Sequence, residues 1–149
     1  MPAPVSTSAG RSRRISAIEA FTSRLRANPL SDLLAVDALR RLDRHLMAAL
    51  ADGPSVLSSP LHSDDSARMI GALRALGVEI EEVAGTGRFG PDLHVVPPTS
   101  FRGDTVVDCG QAGTVMRFIA PLAGLADGDV TITAHDSALH RPMGQMIKA

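Results

Sequence analysis

From Leu34 to Ala51 the segment LAVDALRRLDRHLMAALA sets Leu39, Leu42, Leu46 and Leu50 at spacings of three, four and four. That spacing returns each leucine to one face of an α-helix, so a helix is predicted over 34–51, halted at Asp52-Gly53-Pro54. SVLSS follows as a short strand. In PLHSDDSARMIGALRALG, Ser63 is placed to cap a second helix, with Asp64 and Asp65 at the positive end of its dipole. Met69, Leu73 and Leu76 form its buried stripe, and Gly77 closes it. VEIEEV then alternates like a half-exposed strand. After the turn GTGRFGPD, LHVVP and DTVVDC read as two further strands. A helix over 113–125, the strand DVTITA, a polar loop and a last helix started by Pro142 complete an α/β order.

Two features of this order point to a partial, modular fold. The last helix reaches Ala149 after about two turns, too short to stand alone, so the sequence reads as stopping within an element. In addition, LADG occurs at Leu50–Gly53 and again at Leu125–Gly128. Around each copy the order is helix, LADG, strand, polar loop, then a helix with Met near its start. A period of this length suits duplicated α/β modules rather than a solenoid.

Composition narrows the classes. Of 149 residues, 44% are hydrophobic, enough for a core, but 3% are aromatic with no Trp or Tyr. Stacking surfaces for single-stranded nucleic acid are therefore not expected. A formal net charge of −1 gives no general pull toward nucleic acid or an anionic membrane. The single cysteine, Cys109, excludes a disulfide within the chain and fits a reducing, cytoplasmic setting. No run approaches the roughly 20 apolar residues of a membrane span. Residues 1–33 carry Arg11, Arg13, Arg14, Arg24 and Arg26 among serines, and read as a weakly structured basic arm preceding a partial domain over 34–149.

The candidate chemistry lies at DCGQAGTVMRF, where a turn of small residues opens a helix. Gly110 and Gly113 let the backbone turn and approach a ligand, and the first helical N–H groups form an anion-binding end. Gln111 adds a donor, and Arg117 stands one turn further on. Arg141, in HDSALHRPM, supplies a second guanidinium suited to phosphate or carboxylate, on a loop placed to converge with the first. His135, Asp136 and His140 lack helical pairing and a carboxylate cluster, so no metal site is expected. Asp64 and Asp65 read as helix capping rather than acid–base chemistry. Cys109 reads as a small buried hydrophobe before a nucleophile.

Taken together, LADGPSVLSSPLHSDDSARMIGALRALGVEIEE, DCGQAGTVMRF and HRPMGQMIKA resemble the 3-phosphoshikimate 1-carboxyvinyltransferase (EPSP synthase) family in an actinobacterial-like version, over Ala48–Ala149. The resemblance implies repeated βαβ-type modules of the enolpyruvyl transferase fold, an inside-out α/β barrel that is here incomplete. It implies transfer of the enolpyruvyl group of phosphoenolpyruvate to the 5-hydroxyl of shikimate 3-phosphate, with no metal or organic cofactor, in a typically monomeric enzyme. On the matching motifs, Gly113 and Arg141 would contact phosphoenolpyruvate, with Gln111 beside them and Arg117 and Thr114 supporting. The sequence departs from the pattern at its start. Gln111 replaces the family's usual Asn. The opening Pro-Gly-Ser-Lys-Ser is absent, and the one lysine is Lys148. Asp43-Arg44 stands a residue out of step with the family's Asn-Arg pair, a turn of about 100° on a helix, so Arg44 is not carried over. A chain inactive alone is therefore expected, with a non-catalytic anion-binding or partner-binding piece as the alternative. The related UDP-N-acetylglucosamine enolpyruvyl transferases share the Arg-Pro but typically carry a cysteine just before it, which TAHDSALHRPM lacks.

Overall fold

The computed structural model describes residues 44–85 and 90–144. The expected basic arm, residues 34–43 of the first predicted helix and residues 145–149 lie outside them. The first described element is a helix over 44–50 (α1), whose His45, Leu46, Ala48, Ala49 and Leu50 are buried while Arg44 and Met47 face out.

Helix α2 spans Asp64–Ala75, and its ends follow from local chemistry. Ser63, extended at φ −140°, accepts the N–H of Ser66 at 3.2 Å through its hydroxyl, and Asp64 and Asp65 occupy the first turn. At the other end Gly77 takes φ 92°, which a side chain would resist. Its N–H donates to Arg74 and that of Val78 to Leu73, both at 3.0 Å, the paired bonds of a Schellman stop. Met69, Leu73 and Leu76 are fully buried. Helix α3, Gly113–Ala123, buries Val115, Met116, Phe118, Ile119 and Leu122, and packs against α2.

The strands form three small sheets. β1 (Ser55–Leu57) and β2 (Glu79–Val83) flank β3 (Asp92–Val96) in an antiparallel sheet whose inner positions Ile80, Leu93 and Val95 enter the core. β4 (Phe101–Arg102) pairs in parallel with β6 (Ala126–Asp127), and β5 (Thr105–Asp108) in parallel with β7 (Val130–Thr133). Parallel partners need a crossover, and α3 supplies it between β5 and β7, while β5 packs against α2 with Val107 fully buried.

Three expectations are corrected. β4 and β6 appear where the pattern gave no strand, and the second LADG lies partly in β6 whereas the first forms bends. The polar loop after β7 contains a helical turn, α4 (Asp136–Leu139), because the N–H groups of Ala138 and Leu139 close onto the carbonyl of His135. Pro142 does not begin a helix: Pro142 and Met143 are irregular, and helix is described from Gly144.

Candidate anion site

The two segments that carry the candidate chemistry meet because the β5–β7 ladder continues past its formal ends. Asp108 lies opposite Thr133, the Cys109 N–H donates to the Thr133 carbonyl at 2.9 Å, and the His135 N–H donates to the Gly110 carbonyl at 2.8 Å. This last bond ties the Gly110 turn to the start of α4, and the chain then turns back, with the Arg141 N–H donating to Ala138 at 3.2 Å. The turn itself is tight. Gly110 takes φ 52°, and the Ala112 N–H returns to the Cys109 carbonyl at 2.9 Å.

Arg141 ends over Gly113. A Cβ on Gly113 would lie 2.8 Å from Cδ of Arg141 and 3.0 Å from its Cζ, so the bare glycine is the seat of the guanidinium. The helix start beside it is open. Ala112 is the N-cap residue and offers no side-chain bond, and no acid occupies the first turn. The Gly113 N–H turns back to the Gln111 carbonyl at 3.0 Å, so the Thr114 and Val115 N–H groups are the ones left to look outside the helix, in contrast to the start of α2. A guanidinium and an uncapped helix N-terminus are complementary to a phosphate or carboxylate.

Of the other expected residues, Gln111 is exposed beside this pair and Thr114 is half-buried in the first turn. Arg117 faces solvent on the side of α3 away from the core, and among the described residues no hydrogen bond joins it to Gly113 or Arg141. His135 and His140 are exposed, and among the described residues no three His, Cys, Asp or Glu gather as metal ligands. Cys109 is fully buried, and burial together with the neighbouring Asp108 pushes its thiol up to about 11, so it is a protonated core residue.

Sequence reasoning missed two residues here. Asp108 accepts the Gly110 N–H through Oδ1 at 2.8 Å and pairs through Oδ2 with Nη1 of Arg68 at 2.5 Å. The Gly110 bond is the main cause that holds its carboxyl below the usual range; partial burial opposes it, while Arg68 and His135 add to it. Arg68 lies 40 residues away on α2, which concealed the pairing, although Asp two residues before a glycine is an Asx-turn signal. An open groove of about 450 Å³ beside β2 is a separate feature. It mixes Glu79 and Glu81 with Arg102, and its Arg74 already donates to the Ile80 carbonyl.

The sequence model described as EPSP synthase (3-phosphoshikimate 1-carboxyvinyltransferase) matches residues 43–149. The chain belongs to the EPSP synthase family. It is 45% identical over 125 residues to the 3-phosphoshikimate 1-carboxyvinyltransferase of Kocuria rhizophila, an overlap covering 80% of this chain and 28% of that protein. The enzymes of the same name from Tropheryma whipplei and Bifidobacterium longum are 35% and 40% identical, over 72% and 80% of this chain and 28% and 27% of theirs. The chain thus spans little more than a quarter of the length of these EPSP synthase relatives. The mixed α/β fold agrees with the one the resemblance implied. No helix among the described residues is long and apolar enough to cross a membrane.

Proposed function

We propose that Gly113 and Arg141 form part of a phosphoenolpyruvate site, serving the transfer of its enolpyruvyl group to the 5-hydroxyl of shikimate 3-phosphate. The observation that carries this reading is the Arg141 guanidinium seated on Gly113 beside the uncapped start of α3. Phosphoenolpyruvate carries a phosphate and a carboxylate. The planar fork of Arg141 suits either in two parallel bonds, while the helix start supplies backbone donors that need no reorganisation. Gln111 extends the donor set, Thr114 borders it, and Arg117 contributes charge at longer range. As charge develops on the departing phosphate, such fixed donors favour the transition state more than the free anion. The family membership supports the substrate assignment and is consistent with a cytoplasmic setting.

A second reading has one observation in its favour. The family's Lys of the opening Pro-Gly-Ser-Lys-Ser motif has no counterpart, since the single lysine is Lys148. In this reading the 149-residue chain binds the anion without turning it over.

Calorimetric titration of phosphoenolpyruvate into the full chain and its Arg141→Ala variant tests the shared claim. Removing a charged bidentate partner should weaken binding by about tenfold or more. Equal affinity in the two proteins would refute the site. A phosphate-release assay with shikimate 3-phosphate then separates the readings, and release above the Arg141→Ala background excludes the second.

A further inference from the structure

We propose that Arg68 and Asp108 are a positioning pair that sets the Gly113 helix start against Arg141. The inference rests on the reading of Gly113 and Arg141 as an anion site. It begins from an electrostatic oddity: a carboxylate two residues before the Gly110 turn works against anion binding on the same turn. Charge alone gives Asp108 no reason to be there.

Its contacts do. Asp108 holds the N–H of Gly110, and His135 holds the carbonyl of the same residue from the opposite segment. Gly110 is therefore gripped at both ends, in a left-handed conformation that leads directly into α3. Arg68 completes the arrangement. Its guanidinium neutralises Asp108 and also covers the face of Gly110, where a Cβ would lie 2.8 Å from Nε and 2.9 Å from Cζ. Through these bonds α2, the Gly110 turn and the segment leading to Arg141 become one mechanical unit. The pair is a surface one, with the two side chains 42% and 52% exposed, so it adds little to global stability. What it fixes is local: the height and direction of the first turn of α3 relative to the loop that carries Arg141.

The test compares wild type with Asp108→Ala, Asp108→Asn and the double variant Arg68→Met/Asp108→Ala, each as the full chain. The double variant leaves net charge unchanged, so its affinity reports geometry. Phosphoenolpyruvate binding should weaken by about threefold or more in the double variant, the factor carried by loss of a net hydrogen bond. The nuclear Overhauser contact between the Gly113 α-protons and the Arg141 δ-protons should be lost with it. Asn keeps an acceptor for the Gly110 N–H, so Asp108→Asn should restore that contact where Asp108→Ala does not. Unchanged or tighter binding in the double variant, or persistence of the contact, overturns the pairing role. Failure of wild type itself to bind phosphoenolpyruvate would instead sink the site reading. The Gly113–Arg141 contact then still decides whether the pair positions the two segments.

Discussion

At the scale of single residues, Gly113 does two things, of which only the second requires a missing side chain. It starts a helix, and it leaves room for a guanidinium above the backbone. Alanine is the better helix former by about 1 kcal/mol, so Gly113→Ala should not unfold the protein. Its Cβ would instead displace Arg141, an exposed side chain free to swing away. The expected outcome is a melting temperature equal to or above wild type together with weaker phosphoenolpyruvate binding. Retained affinity would show that the seat of Arg141 is immaterial. Arg141 and Gly113 were legible in the sequence because each belongs to a recognisable local motif. Arg68 was not. On its own helix it looks like an ordinary solvated arginine, and its meaning comes from Asp108, 40 residues on.

Among the elements, the helices were the more readable. Ser63 at the start of α2, the stripe of Met69, Leu73 and Leu76, and the stop at Gly77 are each written in residues a few positions apart. The hydroxyl of Ser63 satisfies the Ser66 N–H, so Ser63→Ala should lower unfolding free energy by about 1 kcal/mol in a denaturant titration. A change below a few tenths would mean that the two aspartates and the dipole alone define this end. β4 and β6 were unreadable for the opposite reason. Each has two residues, and each exists because its partner lies beside it, Phe101 against Ala126 and Arg102 against Asp127. No periodicity can register in so short a segment. The turn at His135 was hidden too, since its helical bonds run to the carbonyl of a residue whose own N–H is held by the distant Gly110 carbonyl. Pro142 misled only in position, since the helical state begins two residues later, at Gly144.

Seen whole, the described residues bring two distant segments together through one parallel pair of strands. β5 and β7 carry the Gly110 turn and the Arg141 loop out of the same end of their ladder, so the candidate groups Gly113 and Arg141, 28 positions apart in sequence, converge. That placement follows from strand direction, since parallel strands joined by a helix present both following loops on one side. The duplicated LADG marks the modular plan but not its details, because one copy bends and the other pairs. The central claim is that phosphoenolpyruvate binds between the start of α3 and Arg141. Titration of the isotopically labelled full chain with phosphoenolpyruvate, followed by amide and arginine side-chain chemical shifts, tests it most directly. Saturable shifts concentrated at Gly113, Thr114, Val115 and Arg141 Nε are predicted, whereas shifts absent there, or centred on the groove beside β2, would contradict it.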